Sequence, residues 1–214
     1  MGNEPPALIP PRGAAHMTRR EFVALGGAAA LTALIPAPAF AGNALLLDAG
    51  AVLAIADTRY VDSVAFAGSL ARRGASVLPL RCDMGGLWFD ALQPRLSAHA
   101  TAIAGLTLES DLFILKRLAA ASGLSVAYVG SHDWRNGQGS RHGLRAGIAL
   151  DRIAACLGQG EGPWAARLGE AIASTRFPAL PQGLQERRVK LDIEPSPGSP
   201  KFFVSWLITR ASCS

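Results

Sequence analysis

The sequence predicts an α/β fold: a single domain with a doubly wound, mostly parallel sheet and a C-terminal β-hairpin. From residue 52 onward, short apolar runs alternate with stretches of helical periodicity. The chain is 50% hydrophobic and 17% charged, which is typical of globular proteins. Removing the first 41 of 214 residues leaves 173, enough for one domain with a full core.

The first half of the chain contains four strand candidates that are separated by helices. The strands are predicted at residues 52–56, 77–80, 101–105 and 125–129. Short apolar strands connected by helices favour a parallel sheet that is covered on both faces. Pro79 has no backbone N–H for a ladder, so it indicates an edge strand. Thr107 is placed to cap the helix that follows the third strand.

The second half begins with residues 131–143, a polar stretch without apolar periodicity that predicts a long exposed loop. Helices are expected near 144–157 and 163–175. Alternating apolar residues at 189–193 and an apolar run at 202–209 predict two strands. We expect these two strands to pair with each other as the C-terminal hairpin.

Residues 18–41 have the features of an export signal. Arg19 and Arg20 precede an uncharged run rich in Ala, Gly and Leu, and Ala39 and Ala41 give the small-x-small pattern of a cleavage site. Residues 1–16 are an upstream extension, 17–41 the signal peptide and 42–214 the mature domain. The expected partners are the twin-arginine translocase and signal peptidase. The alternative is a retained membrane anchor, although the uncharged run is short for a span; cleavage leaves no stable membrane span.

Charge and cysteine content limit the function classes. The full chain has a net charge of +5, and removal of residues 1–41 takes away three arginines and two glutamates, leaving +4. The basic residues are scattered, which argues against nucleic-acid binding. No cysteine spacing matches covalent haem, zinc or iron–sulfur sites, so the cofactor is unknown. An oxidising compartment permits one disulfide among Cys82, Cys156 and Cys213, and the pairing is open.

Polar residues follow the predicted strands, at the sheet edge where α/β proteins bind ligands. Asp57, Arg59, Asp83 and Thr107 are the candidate ligand-binding residues of this edge. The alternative is that Asp57 only caps a helix and that loop residues are polar because they are solvated. With His132, the carboxylates of Asp57 and Asp83 are a weak candidate for a metal site.

Cys82, His132 and Asp133 are weak catalytic candidates. Arg81 and the amides of a following helix would lower the pKa of the Cys82 thiol, and His132 would act as its base. The alternative is that Cys82 is a packed small residue or a disulfide partner.

The polar stretch 131–145 also contains glycines between Arg135 and Arg141. Flexible backbone amides together with guanidinium groups can hold phosphate, sulfate or carboxylate. The spacing matches neither the P-loop nor the dinucleotide fingerprint, and a solvated loop with glycine turns explains it equally well.

Two resemblances to known families stand beside these patterns. Thr18-Arg19-Arg20-Glu21-Phe22-Val23 resembles the twin-arginine signal peptide, with Val23 where leucine is common, and it implies export of a folded protein to the periplasm. Residues 52–130 are faintly similar to one lobe of uroporphyrinogen-III synthase, through Asp57-Thr58-Arg59 and the glycine-bounded strands. Its serine-containing loop is missing at Gly105-Leu106-Thr107, so only the layered architecture is implied.

Three functional hypotheses follow. The first is a non-catalytic periplasmic binding or accessory protein that recognises an anionic small molecule or a partner protein. The second is a small periplasmic enzyme that uses a metal or Cys82 at the strand ends. The third is a signal-carrying subunit of a redox complex, which an exposed apolar face around Trp206 would favour.

Overall fold

The computed structural model describes residues 44–45, 51–98, 100–134, 140–146, 150–158, 162–175, 177–178, 185–191 and 194–210. Residues 41–214 form one compact unit. Within the described ranges, no helix combines the length and the apolar character that a membrane span requires. The predicted upstream extension, the predicted signal residues Arg19, Arg20, Ala39 and Ala41, and also Cys213 lie outside the described residues.

Nine strands are described. They are β1 (Ala44–Leu45), β2 (Val52–Asp57), β3 (Ser76–Leu80), β4 (Ala102–Thr107), β5 (Leu124–Trp134), β6 (Ser140–Ala146), β7 (Phe177–Pro178), β8 (Gln185–Leu191) and β9 (Phe202–Arg210). β1 and β7 form a separate antiparallel pair. The other seven strands form one sheet in the order β3-β2-β4-β9-β5-β6-β8.

The sheet has a parallel part and an antiparallel part. β2 pairs in parallel with β3 and with β4, while β9 runs antiparallel between β4 and β5. Because β9 opposes both of its neighbours, the four strands predicted from the first half of the sequence all run in one direction. β5, β6 and β8 continue the sheet as antiparallel neighbours. β3, which contains Pro79, lies at an edge as predicted.

The two C-terminal strands do not pair with each other, so the predicted hairpin is wrong in its pairing. β9 lies in the centre of the sheet and β8 at the edge. Burial explains the separation: residues 203–209 are all buried, whereas β8 consists of exposed and half-buried residues. A strand that is apolar on both sides is stable only with a layer on each face, and a charged strand is suited to an edge.

Helices cover both faces of the sheet, which confirms the α/β class. Face A carries α1 (Val61–Ala71), α5 (Leu150–Gly158) and α6 (Trp164–Ala173). Face B carries α2 (Met84–Leu87), a π-helical turn (Trp88–Leu92), α3 (Gln93–Ala98) and α4 (Glu109–Ala121). Alternate residues of β2 enter the two cores, Ala54 on face A and Ile55 on face B. The sequence of β2 is a continuous apolar run because both of its sides are buried.

The stretch 131–143 is not a long loop, which corrects the prediction. β5 continues to Trp134, β6 begins at Ser140, and the two strands pair antiparallel with His132 opposite His142. β6 also occupies residues 144–146, where a helix was expected. The inward positions of β6 alternate as Ser140, His142, Leu144 and Ala146, all buried. Because two of these inward residues are polar, the alternation of a half-buried strand was not recognisable from hydropathy.

Candidate functional site

The carboxyl ends of β2 and β4 form a topological switch point of the sheet, which we call the crevice. The chain leaves β2 through α1 on face A, and it leaves the adjacent parallel strand β4 through α4 on face B. Neighbouring strands whose connections go to opposite faces leave a gap at their carboxyl ends, the usual ligand position in α/β sheets. Asp57 ends β2, Thr107 ends β4, and Asp111 lies in the first turn of α4.

Asp57 and Arg59 form a two-pronged ion pair in this crevice. Arg59 Nε donates to Asp57 Oδ1 at 2.9 Å, and Nη2 donates to Oδ2 at 2.7 Å. Asp57 is fully buried, while the Arg59 side chain is 40% exposed. The hydrogen bonds to Asp57 raise the pKa of Arg59 above its ordinary value. Such planar pairing fixes the guanidinium in orientation as well as in charge. The expected helix-capping role of Asp57 is not observed, since α1 has no side-chain cap.

Asp111 is the unsatisfied member of the site. It is 7% exposed, and its Oδ2 has no hydrogen-bond partner among the described residues. The nearest cation is Arg59, whose Nη2 lies 3.8 Å away. Burial raises the pKa of the Asp111 carboxyl, and the charge of Asp57 raises it further. A buried oxygen without a donor costs roughly 1–3 kcal/mol, so this arrangement is maintained at the expense of stability.

A turn that precedes β9 lies against the same edge of the sheet. Asp62, in the first turn of α1, accepts hydrogen bonds from the backbone N–H and the hydroxyl of Ser196, at 3.2 and 2.8 Å. Asp62 is fully buried. This contact ties residues 194–200 to α1 at the mouth of the crevice.

Thr107 has a structural partner and does not cap α4. Its hydroxyl accepts from Trp206 Nε1 at 3.0 Å and donates to the Leu108 carbonyl at 3.2 Å. The indole passes over Gly105, where a Cβ would collide with its ring. Trp206 is completely buried, so the exposed apolar face expected there for a redox-complex subunit is not present.

Asp83 and Cys82 lie at the start of the face B helices. Asp83 Oδ1 accepts from the Gly86 N–H at 2.9 Å and so caps α2. Cys82 and Cys156 are free thiols, the first exposed and the second half-buried. Asp83 therefore has a local structural role, and nothing in its contacts directs it to the crevice.

His132 belongs to a buried hydrogen-bonded chain that crosses three strands. His132 Nδ1 and His142 Nδ1 are 2.7 Å apart, and His132 Nε2 lies 2.7 Å from Ser205 Oγ. The chain extends from Ser205 to the Tyr128 hydroxyl at 3.0 Å, and from His142 Nε2 to Ser140 Oγ at 3.0 Å. Both imidazoles are at most 1% exposed. We name these five side chains the histidine chain.

A backbone carbonyl sets the direction of every hydrogen bond in the histidine chain. Ser140 donates its one hydroxyl proton to the Leu191 carbonyl at 2.8 Å, so His142 Nε2 must donate to Ser140. Neutral His142 then accepts at Nδ1 from His132 Nδ1–H, and His132 Nε2 accepts from Ser205. Burial lowers the pKa of His142 to about 4 and that of His132 well below its ordinary value. Both rings are therefore neutral at pH 7.

The histidine chain is packed into the face A core rather than lining a crevice. Trp164 of α6 lies with its ring centroid 4.9 Å from that of His132 and 4.9 Å from that of Trp134. Gly130 makes room for the polar atoms: a Cβ there would lie 2.5 Å from Ser205 Oγ and 3.1 Å from His132 Nε2. Sequence patterns do not indicate this network, because its members are spread over three strands.

The structure does not assemble the catalytic and metal candidates. Both ring nitrogens of His132 are engaged within the histidine chain, so it is not a base for Cys82. Asp133 follows it in β5 and faces the opposite side of the sheet. In the described part of the chain, no three His, Cys, Asp or Glu side chains lie close enough together to hold a metal ion. Asp57, Asp83 and His132 are thus not a ligand set.

Of Arg135 and Arg141, the two arginines predicted to hold an anion, the structure describes only Arg141. Arg135 lies outside the described residues. Arg141 is exposed on β6 and alternates with the buried Ser140 and His142, so it faces side B of the sheet. There it stands opposite Lys190 of β8 and Asp133 of β5.

A second recess of about 370 Å³ lies at the opposite, amino-terminal end of the parallel strands. It is lined by Trp88, Gln93, Leu96, Ser97, Ser122 and Arg210. Arg210 donates to the Leu96 carbonyl at 2.9 Å, in the last turns of α3. Helix carboxyl ends repel anions, so Arg210 is best explained as a cation that caps α3.

Comparisons with protein-family models, with curated proteins and with solved structures each find no match.

Proposed function

We propose that the protein is an exported, non-catalytic binding protein whose small polar ligand enters the crevice between β2 and β4. The observation that carries this proposal is the buried Asp111 carboxylate oxygen without a hydrogen-bond donor, beside the Asp57–Arg59 pair. Perturbed and unsatisfied groups in a cleft are more frequent at functional sites than elsewhere. Export is supported by the twin arginines and cleavage pattern of residues 18–41.

The ligand is expected to have both a hydrogen-bond donor and an acceptor. A hydroxyl or ammonium group would satisfy Asp111 Oδ2. Asp57 occupies Nε and one N–H of Nη2 of Arg59, so an acceptor such as a carboxylate would bind the remaining guanidinium N–H groups. The anionic group expected from the sequence would therefore bind Arg59. The same ligand would also carry a hydrogen-bond donor for Asp111.

Native mass spectrometry of protein purified from its own periplasm tests the proposal. The wild type is expected to carry a bound small molecule that is lost from Asp111→Asn. Asp83→Asn is the matched control, because it makes the same chemical change in a helix cap at the same sheet edge. A bare wild-type chain, or equal loss of the molecule from both variants, would contradict a site at Asp111.

A further inference from the structure

The end of the sheet formed by β5, β6 and β8 has one covered face and one uncovered face. On face A these strands carry His132, Leu144 and Leu191, which pack under α5 and α6. The helices of face B extend only as far as β9 and β5. Among the described residues, nothing covers β6 and β8 on that side.

The uncovered face is rich in positive charge. Alternation along the strands places on it four cations and two carboxylates: Arg141, Arg145, Arg188, Lys190, Asp133 and Glu186. We name these six residues the basic sheet face. Glu186 is shared by two of the arginines, with Arg188 Nε at 2.8 Å and Arg145 Nε at 3.9 Å. Among the described residues of this face, the cations therefore outnumber the carboxylates.

The strand register places two of the cations of the basic sheet face next to each other. Arg141 stands between Asp133 of β5 and Lys190 of β8, and Arg188 stands opposite Gly143. Like charges at directly opposite positions destabilise a sheet. Gly143 lies on the same face between Arg141 and Arg145 of β6, and its lack of a side chain leaves a depression there. A Cβ at Gly143 would lie 2.8 Å from Ser131 Oγ. Arg141 and Arg145, four residues apart, are separated by about 13 Å along the strand, which is too far for one phosphate to bridge.

We propose that the basic sheet face is a docking surface for an acidic segment of a partner protein. A second copy of this chain would present the same positive charges and be repelled. A membrane surface is disfavoured, because the described large hydrophobic side chains that are exposed lie on α1, β3, the π-helical turn and α4. The described aromatic side chain beside this face, Phe202 of β9 opposite Asp133, is half-buried against the face B core, which leaves little of its ring for stacking with nucleic-acid bases. An acidic polypeptide matches both the charge and its spread over two strands.

Fluorescence anisotropy with labelled poly-L-glutamate measures the surface directly. The variant Arg145→Gln/Lys190→Gln is expected to bind about tenfold more weakly than wild type at 50 mM salt. The control Arg95→Gln/Arg117→Gln removes the same charge from exposed positions on α3 and α4, and is expected to change the affinity less than twofold. Thermal unfolding checks that both variants are folded.

Equal weakening in the two double variants would show that net charge alone drives binding, and would overturn the proposal. Sedimentation with phosphatidylglycerol vesicles tests the remaining alternative, which is that the basic sheet face binds lipid headgroups. If vesicle binding requires Arg145 and Lys190 while poly-L-glutamate binding does not, the surface binds lipid headgroups and the proposal is wrong.

Discussion

Acid is expected to destabilise the folded protein through His132 and His142. Both imidazoles are neutral when folded, because burial lowers their pKa values, to about 4 for His142. In the unfolded chain each has an ordinary pKa of about 6.5. As the pH falls below about 6.5, the unfolded chain takes up protons that the folded protein does not, so the free energy of unfolding decreases.

The size of this effect follows from the difference in proton uptake. Each pH unit below the unfolded pKa costs about 1.4 kcal/mol for a histidine that stays neutral in the folded state. Between pH 7.5 and pH 5 this amounts to about 2 kcal/mol for His142. Burial also lowers the pKa of His132, so it adds to this loss beyond the roughly 2 kcal/mol of His142. That is a large share of the stability of an ordinary domain.

Urea unfolding at pH 7.5 and pH 5.0 tests the prediction. Wild type is compared with His142→Gln and with His132→Gln/His142→Gln, since glutamine keeps polar groups in the chain without titrating in this range. Carboxylates titrate alike in all three proteins, so the change with pH is compared rather than the absolute stability. The loss on acidification is expected to be smaller by about 2 kcal/mol in the single variant and to be smaller still in the double variant.

An equal loss in all three proteins would refute the reasoning. It would mean that the histidines are protonated in the folded protein, or that acid opens the β5–β6 pair before unfolding. The amide exchange of Tyr128 and His132 at pH 5 separates these two explanations.

Two other predictions concern stability at pH 7. Gly105→Ala is expected to lower the free energy of unfolding by about 1–3 kcal/mol, because its Cβ would meet the Trp206 ring. Gly68→Ala, in open space on α1, should raise the free energy of unfolding by about 0.5–1 kcal/mol. Equal effects of the two variants in thermal unfolding would contradict the packing of Trp206 on Gly105. Burial raises the pKa of Asp111, so its ionisation opposes folding above that pKa, and Asp111→Asn should raise the melting temperature at pH 7. The control Asp83→Asn keeps a good helix cap and should leave the melting temperature nearly unchanged. A lower melting temperature for Asp111→Asn would contradict the prediction, because it would show that the Asp111 carboxylate has a stabilising partner.

The layered architecture was predictable because strands buried on both faces are apolar at every position. Residues 52–56 and 101–105 were predicted for this reason, and their direction was also correct. The edge position of β3 followed from Pro79. These features depend on local composition and backbone chemistry, which a single sequence shows directly.

The pairing of the C-terminal strands depends instead on competition between long-range contacts. Sequence proximity favoured a β8–β9 hairpin. The apolar β9 is more stable between β4 and β5, where both of its faces are buried, and this gain is visible only once the helices are placed. The β5–β6 hairpin was missed for a different reason: its inward residues include His132, Ser140 and His142, and these polar side chains interrupt the apolar alternation.

The candidate site was found in part. Asp57 and Arg59 were predicted from their position at a strand end, and the structure pairs them. Asp111 looked like an ordinary acid in the first turn of a helix, and only its burial and unpaired oxygen distinguish it. Thr107 and Asp83 were correctly placed at strand ends, but each already has a partner within the fold.

β9 connects the fold to the proposed export route. Its successive residues Ser205 and Trp206 complete opposite faces of the sheet, the histidine chain on face A and the Thr107 contact on face B. Because β9 is central and is the last of the described strands, the sheet cannot close until residues 202–210 have been synthesised. A twin-arginine route carries folded proteins, so deletion of residues 202–214 should retain the protein in the cytoplasm, as Arg19→Lys/Arg20→Lys should. Cell fractionation measures both. Export of the truncated chain together with retention of the lysine variant would show that closure of the sheet is not required before translocation.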